Sequence, residues 1–449
     1  MTAELDPARA KAPVHGMISP ARWSRRLLAS LCSVFALSAA VAAATPEEAR
    51  ARELIASPQF QAVVANYERD FDRFVAELIQ LTEIPAPPFG ERARGEAFSR
   101  LLRESGLEDV STDAEGNVIG VRRGKGQGPL LAVAAHLDTV FPAGTDVRVK
   151  RSGTRLIAPG VGDDTRGLAF VLAFTRAIRE AKIETPGDLL IIGNVGEEGQ
   201  GDLRGMRYLF TKGPWKDRIA RFISVDGGNL DLVTSGALGS LRYKVTFKGP
   251  GGHSWGAFGQ VNPAFAMGNA MAKLGKVVVP KRPKVSYNVG VVSGGTSVNS
   301  IPFEVAMEVD MRSASPEELR KIDAEFKRIV AEAVDEENAT RQTTFGRVTV
   351  ELKLIGERPS GTTAPDSPIA RQIAGTMKNF DKVPVWETSS TDANIPISLG
   401  IPAVAIARNS ANKGGRSHSL DEWTDVEKTQ AVKDFTLAAA IILGVATMP

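Results

Sequence analysis

The feature that most restricts the fold is an unbroken apolar run at residues 130–135, LLAVAA, which leads directly into His136. Such a run, with no polar alternation, is typical of a strand buried on both faces, as in parallel sheets covered by helices. Two further strand-like runs, DLLIIGN and RFISV, also lead into polar loops. Helical patterns separate the three runs, so the sequence predicts a doubly wound α/β layer structure.

Parallel strands present their carboxyl ends at one edge of a sheet, where ligands bind in α/β proteins. Acidic residues and histidines follow these strand ends: His136 and Asp138 in AAHLD, Asp163 and Asp164 in GVGDDTRG, Glu197 and Glu198 in GNVGEEGQ, Asp226 in SVDGG, and His418 in GGRSHSLDEW. Taken alone, each loop is also compatible with a simpler role: a solvated turn, a helix cap or a loop with a surface histidine. Taken together, these imidazole and carboxylate groups suit zinc, and their number suffices for two ions.

A different pattern covers residues 241–356, where strands alternate in polarity and two helices intervene. The order strand, helix, strand, strand, helix, strand predicts a ferredoxin-like α+β domain. Ser315 is placed as the N-cap of the long second helix, with proline at the first helical position and glutamate at the capping-box position. We therefore expect residues 45–240 and 357–449 to form one catalytic domain, interrupted by this inserted domain.

The first 44 residues have the pattern of a secretory signal. Arg22, Arg25 and Arg26 precede the apolar run LLASLCSVFALSAAVAAA, which ends in small residues. The segment SRRLLAS resembles a twin-arginine export motif. We therefore expect a cleaved leader at residues 1–44 and a periplasmic or secreted product, with an uncleaved membrane anchor as the alternative.

Charge and cysteine content argue against several classes of protein. The chain has 55 basic and 52 acidic residues, of which five basic and two acidic ones lie in the leader, so the remainder is balanced in charge. This balance argues against a nucleic-acid partner, and against a membrane partner once the leader is removed. The single cysteine, Cys32, also lies in the leader, so the rest of the chain forms no disulfides.

The motifs, in this order, resemble those of the dinuclear-zinc exopeptidases of clan MH. This group includes peptidase T, glutamate carboxypeptidase, the carnosine dipeptidases, aminoacylase and succinyl-diaminopimelate desuccinylase. The resemblance spans nearly the whole chain after the leader, although Thr165 stands where the group commonly has lysine. It implies a zinc-peptidase-like mixed sheet, an inserted dimerisation (lid) domain and a homodimer.

The resemblance also implies roles for the strand-end residues. It places five metal ligands: His136 and Asp226 on one Zn²⁺, Glu198 and His418 on a second, and Asp163 as the bridge between them. Asp164 stays open as an alternative bridge, and Co²⁺ or Mn²⁺ would suit the same ligands. Asp138 is expected to hydrogen-bond the imidazole of His136 and fix its tautomer, unless it is only a loop residue. Glu197 is expected to be the general base.

Three residues of the inserted domain acquire roles in the same way. His253, in KGPGGHSW, is expected to reach across a dimer interface and stabilise the oxyanion of the partner's reaction. Asn299 and Arg312 are expected to bind substrate, Arg312 through a carboxylate. From the residues alone, the alternatives are that His253 is a histidine in a turn and that Arg312 is a charged residue on the surface.

The function implied by the resemblance is a zinc-dependent exopeptidase that acts on short peptides, of the dipeptidase, tripeptidase or carboxypeptidase type. An amidohydrolase that deacylates N-acyl amino acids would use the same ligands. A non-catalytic zinc-binding scaffold on this fold is a third reading. The motifs leave open the preferred side chain and the end of the peptide that is cut.

Overall fold

The computed structural model describes residues 44–410 and 413–448 of the chain. The predicted leader therefore lies outside the described residues, except for its last position. The described helices are α1 (Pro46–Ala56), α2 (Pro58–Arg69), α3 (Phe71–Thr82), α4 (Arg92–Glu104), α5 (Thr165–Glu180), α6 (Arg204–Thr211), α7 (Pro263–Leu274), α8 (Pro316–Thr340), α9 (Pro368–Lys378), α10 (Asn394–Ser398) and α11 (Lys428–Ala446), with a 3-10 turn at Gly199–Gly201.

The strands are short except in the region predicted to be inserted. They are β1 (Asp109–Thr112), β2 (Val118–Arg122), β3 (Leu130–His136), β4 (Lys150–Ser152), β5 (Arg155–Ile157), β6 (Leu189–Asn194), β7 (Ile219–Val225), β8 (Leu232–Ala237), β9 (Gly239–Lys248), β10 (Gly252–His253), β11 (Val285–Gly294), β12 (Ser300–Ile301), β13 (Glu304–Ser313), β14 (Thr349–Arg358), β15 (Gly361–Thr362), β16 (Val385–Ser389), β17 (Ala403–Ile406), β18 (Gly414–Gly415) and β19 (Trp423–Asp425).

A nine-stranded mixed sheet forms the larger layer, in the order β1-β2-β6-β3-β7-β17-β8-β15, with β16 beside β8. The central strands β6, β3, β7 and β17 are mutually parallel. Strands β1 and β2 at one side and β8 and β15 at the other pair in antiparallel fashion. The predicted α/β class with a mixed sheet is therefore confirmed.

Strand β3 is buried on both faces, as its unbroken apolar run predicts. Its side chains alternate between two core clusters: Leu131, Val133 and Ala135 pack with helices α2–α5, α9 and α11, whereas Leu130, Ala132 and Ala134 pack with α6 and α10. Full burial of one such leucine or valine contributes about 1.5–3 kcal/mol to folding. The strand that carries His136 is thus held rigidly from both sides.

A separate four-stranded antiparallel sheet has the order β11-β13-β9-β14. Helices α7 and α8 cover one face and build a second core around Phe247 and Phe326. The chain order β9-α7-β11-β13-α8-β14 is the predicted ferredoxin-like order. Ser315 accepts a hydrogen bond from the backbone N–H of Glu318, so the N-cap prediction is also confirmed.

Among the described helices, α11 alone is long and apolar enough to cross a membrane by length and composition. Most of it, however, is buried inside the molecule, 72% of its most apolar window. It packs beneath the large sheet with Phe435 and Ile442 in the first core cluster. Such burial is typical of the central helix of an α/β layer.

Candidate functional site

His136 is the last residue of β3 and is buried. Its Nε2 lies 3.2 Å from Oδ1 of Asp163, and its Nδ1 lies 3.0 Å from the backbone carbonyl oxygen of Asp138. Burial lowers the pKa of His136, but the carboxylates of Asp138 and Asp163 outweigh burial and hold this pKa well above its usual value. One ring nitrogen is thus fixed by the backbone while the other faces a carboxylate, as in a metal-ligating histidine.

The carboxylate of Asp138 does not bind the His136 imidazole, which was its expected partner. Its Oδ1 lies 3.7 Å from the His136 imidazole, beyond hydrogen-bond range. Instead, Oδ1 accepts a hydrogen bond from the backbone N–H of Glu197 at 3.0 Å, and Oδ2 accepts one from Glu198 at 2.7 Å. The backbone carbonyl group of Asp138 thus orients the imidazole of His136, while the Asp138 carboxylate holds the loop that follows β6.

The two adjacent aspartates before α5 point in different directions. Oδ1 of Asp163 faces His136, whereas its Oδ2 lies 3.4 Å from Nε2 of His418. Asp164 is fully buried, and its Oδ2 accepts a hydrogen bond from the backbone N–H of His136 at 3.1 Å. Asp163 therefore lies between two histidines, while Asp164 supports the end of the strand.

Glu422 fixes the loop that carries Asp163. Its Oε1 accepts hydrogen bonds from the N–H groups of Gly162 at 2.8 Å and of Asp163 at 2.7 Å, and its Oε2 accepts one from Gly160 at 3.0 Å. Burial and the nearby charge of Asp163 raise the pKa of Glu422 to about 7, against these hydrogen bonds. The prediction did not select Glu422, although it lies four residues after His418 in the same motif.

Glu198 and His418 meet on the other side of Asp163. Nε2 of His418 lies 2.8 Å from Oε1 of Glu198, and hydrogen bonds to Asp163 and Glu198 raise the pKa of His418 to about 10. One potential ligand atom from each of His136, Asp163 and Glu198 lies within 4.8 Å of the others. A set of imidazole nitrogen and carboxylate oxygens at this spacing fits a divalent metal ion.

Asp226 contacts an arginine that the prediction did not include. Nη1 of Arg408 lies 2.6 Å from Oδ1 of Asp226 and 3.2 Å from Oδ1 of Asp164, and Nη2 lies 3.3 Å from Oδ1 of Asp163. The Arg408 side chain is buried, so its charge directly offsets that of three carboxylates. Arg408 follows β17, whose carboxyl end lies at the same sheet edge as His136.

Glu197 is paired with a second unpredicted arginine. Its Oε1 lies 3.0 Å from Nη1 of Arg358, and its carbonyl oxygen accepts from the same guanidinium. Burial raises the pKa of Glu197 well above its usual value; Arg358 opposes this rise and Glu198 adds to it. A buried carboxyl with a raised pKa is suited to accept and release a proton near neutral pH.

A cavity of about 440 Å³ opens onto these groups. Its charged lining residues are Asp163, Glu197, Glu198, Asp226, Glu387 and His418 together with Arg242, Arg312 and Arg358. The volume falls within the range of roughly 300–1,000 Å³ that is usual for small-molecule sites. Four of the five predicted metal ligands, the predicted base and Arg312 therefore line one cavity, and the fifth ligand, His136, contacts Asp163.

His253 and Asn299 are not among the residues that line this cavity. His253 is exposed on β10, and its Nδ1 accepts hydrogen bonds from the N–H groups of Trp255 at 3.2 Å and Gly256 at 3.3 Å. Asn299 is also exposed. It lies beside His253, since its backbone carbonyl oxygen accepts a hydrogen bond from the N–H of Ser254 at 2.9 Å. Both residues lie together on the inserted region, outside the lining of this cavity.

Comparison with known proteins gives a consistent result. The model of peptidase family M20/M25/M40 matches residues 132–443. Carboxypeptidase G2 of Pseudomonas sp. (strain RS-16) is 23% identical over 375 residues, which are 79% of this chain and 84% of that protein. The solved structure of an aminopeptidase PepT from Bacillus cereus has a TM-score of 0.67 at 21% identity and covers 84% of this chain and 99% of its own. A dinuclear metal-binding peptidase of Bacillus subtilis has a TM-score of 0.60 at 18% identity, with coverage of 84% and 98%.

Proposed function

This chain belongs to peptidase family M20/M25/M40, and we propose that it is an exopeptidase that hydrolyses a terminal amide bond of short peptides. Membership makes the chain a hydrolase of the metallopeptidase and amidohydrolase type. One observation carries the proposal: Asp163, Glu198 and His418 line a single cavity together with Glu197, and Nε2 of His136 lies 3.2 Å from Asp163. A metal-ligand set next to a buried carboxyl is the arrangement that amide hydrolysis by water requires.

The proposed cofactor is a pair of Zn²⁺ ions, with Co²⁺ or Mn²⁺ as possible substitutes. His136 and Asp226 would hold one ion, Glu198 and His418 the other, and Asp163 would bridge them. The two oxygens of Asp163 face two different histidines, which supports its choice over Asp164 as the bridge. When bound, such ions lower the pKa of a coordinated water to about 7 and polarise the substrate carbonyl.

Glu197 would take the proton of the attacking water and pass it to the leaving amine. Its carboxylate is fixed at one oxygen by Arg358, which leaves the other oxygen for proton transfer. Among the described residues, Arg312 hydrogen-bonds Asp310 through Nε, and its terminal nitrogens have no partner there and can bind a substrate carboxylate. These residues would bind, orient and protonate the substrate within the cavity.

His253 and Asn299 would act in a homodimer, from the partner chain. Their exposure on the inserted region, away from the cavity of their own chain, supports this assignment. The site of action would be the periplasm or the exterior of the cell, because residues 1–44 have the pattern of an export signal.

A substrate screen tests the proposal. The chain without its leader, loaded with Zn²⁺ or Co²⁺, is incubated with dipeptides, tripeptides and N-acyl amino acids, and the released amine is measured. We expect hydrolysis of short peptides. Turnover of N-acyl amino acids alone would replace the peptidase with a deacylase, and bound metal without turnover of any amide would leave a non-catalytic scaffold.

A further inference from the structure

One wall of the cavity carries excess positive charge. Arg242 and Arg312 both contact the same carboxylate, with Nε of Arg242 3.0 Å from Oδ1 of Asp310 and Nε of Arg312 2.7 Å from Oδ2. Two guanidinium groups share one carboxylate, so this wall keeps a net positive charge. It suits a carboxylate of the substrate.

The acids of the cavity differ in whether a cation neutralises them. Four of the five lining carboxylates have an imidazole or guanidinium partner: Asp163 and Glu198 with His418, Asp226 with Arg408, and Glu197 with Arg358. The fifth, Glu387, has no cationic side chain within 4.0 Å anywhere in residues 44–410 and 413–448. Its negative charge is therefore available to a ligand.

Glu387 is nevertheless held in a defined position. It is half-buried on β16, and its Oε1 accepts a hydrogen bond from Oγ1 of Thr234 at 3.0 Å. Thr234 is buried on the neighbouring strand β8 and lines the same cavity. The hydrogen bond fixes one carboxylate oxygen, and the other oxygen has no described donor.

We propose that Glu387, held by Thr234, forms a subsite for an ammonium group of the substrate. The unpaired oxygen of this carboxylate can accept a charge-assisted hydrogen bond from a substrate N–H₃⁺ group. The substrate then carries a carboxylate for the arginine wall and an ammonium for Glu387. This inference rests on the proposed amide-hydrolase function and specifies its substrate class as a zwitterion.

The ammonium has two chemical sources, the α-amino group of a peptide and the amine of a basic side chain. Three probes separate them: Ala-Ala-Ala, N-acetyl-Ala-Ala-Ala and Nα-acetyl-lysine. The variant Glu387→Gln keeps the size of the side chain and removes its charge. For each probe that bears an ammonium and uses the subsite, we expect kcat/KM to fall by about 10- to 100-fold, mainly through KM.

The N-acetylated tripeptide provides the internal comparison, since Glu387→Gln should change its kcat/KM by less than about twofold. The matched control Glu351→Gln, on the exposed face of β14, should affect none of the probes. Loss confined to Ala-Ala-Ala assigns the α-amino group, and loss confined to Nα-acetyl-lysine assigns the side-chain amine. Equal loss on the acetylated tripeptide and the amine-bearing probes would overturn the subsite.

Failure of the proposed function can be told apart from failure of the subsite. If the wild-type enzyme hydrolyses no amide, the proposed function is refuted. Calorimetric binding of Ala-Ala-Ala and Nα-acetyl-lysine to the metal-loaded wild type and to Glu387→Gln then tests the subsite directly. At least tenfold weaker binding of either probe by the variant supports the subsite, and unchanged binding of both overturns it.

Discussion

Glu197 and Glu198 are neighbours in sequence but have different partners, and this difference can be tested. Glu198 faces His418, whereas Glu197 pairs with Arg358. We predict that Glu197→Ala lowers kcat by about 10²–10⁴-fold, because proton transfer is lost, and that the variant retains its full metal content. Elemental analysis of the purified variant measures the metal. Glu198→Ala is the matched control and should lose metal; loss of a metal equivalent in Glu197→Ala would contradict the assignment.

Arg408 contacts three carboxylates, two of which are candidate ligands. Hydrogen bonds to ligating carboxylates orient them, and their removal commonly costs about 10- to 100-fold in metal affinity. We therefore predict that Arg408→Met weakens zinc binding by this factor, whereas Arg408→Lys recovers part of it. Zinc titration against a competing chelator measures the affinity, and circular dichroism controls for folding. Undiminished affinity in a folded Arg408→Met chain would exclude a positioning role.

The sequence allowed the acids and histidines to be predicted, but not the arginines between them. His136 ends β3 and Asp226 follows β7, and parallel strands bring such residues to one edge of the sheet, so their residue types and positions were informative. Arg408 lies 182 residues after Asp226, and no local sequence pattern predicts the contact between these two residues. Its position directly after β17 was a usable signal. A search for basic as well as acidic residues at strand ends would have found it.

Secondary-structure elements were predictable where their pattern is local. The buried strands β3 and β6 have continuous apolar runs, and the helix α5 beside them has an apolar face with helical spacing. The four-stranded sheet β18-β19-β5-β4 was not predicted, since its strands have two or three residues and its central pair, β5 with β19, joins residues more than 250 positions apart. Strands β18 and β19 flank the loop of His418, so the position of this residue depends on long-range strand pairing.

The first turn of α5 has no room for an added methyl group at Gly167. A Cβ atom at Gly167 would lie 2.3 Å from Oδ1 of Asp164 and 2.6 Å from the carbonyl oxygen of Val225. We predict that Gly167→Ala displaces α5 and lowers the free energy of unfolding by about 1–3 kcal/mol. Denaturant unfolding measures this change, and an unchanged midpoint would contradict it.

A matched glycine lies in another helix, α7. A Cβ atom at Gly268 would meet no heavy atom within 4 Å. Gly268→Ala should leave the unfolding midpoint unchanged or raise stability by up to about 1 kcal/mol, because alanine favours the helix. The contrast between the two variants separates steric displacement from a general effect of glycine replacement.

For the whole molecule, the first described helix begins where the predicted leader ends. Thr45 is the N-cap of α1, and its hydroxyl and the Glu48 carboxylate form a reciprocal capping box. Cleavage near this point would leave the cap intact at the start of the mature protein. We predict that N-terminal sequencing of protein from the native cell begins near Thr45. Soluble cytoplasmic protein that begins at Met1 would refute export.

Assembly into a dimer is the remaining expectation at this scale. β11 is an edge strand of the four-stranded sheet, and an exposed edge is commonly covered by a partner strand. His253 lies among large exposed apolar side chains, since Trp255 and Phe258 are 87% and 82% exposed in the single chain. Apolar exposure of this kind is typical of an interaction surface. These observations support a twofold contact through the inserted region.

Subunit exchange tests whether His253 acts in the partner's site. Chains with His253→Ala are mixed with chains with Glu197→Ala, each variant being inactive alone. If His253 acts across the interface, each heterodimer has one site that lacks both groups and one complete site, so activity returns to about half per heterodimer. Donation to the oxyanion contributes roughly 10²–10³-fold in rate, which makes the recovery measurable. A histidine that acts within its own chain leaves every site defective, so proven exchange without recovery, or a monomer in sedimentation, would exclude the role across subunits.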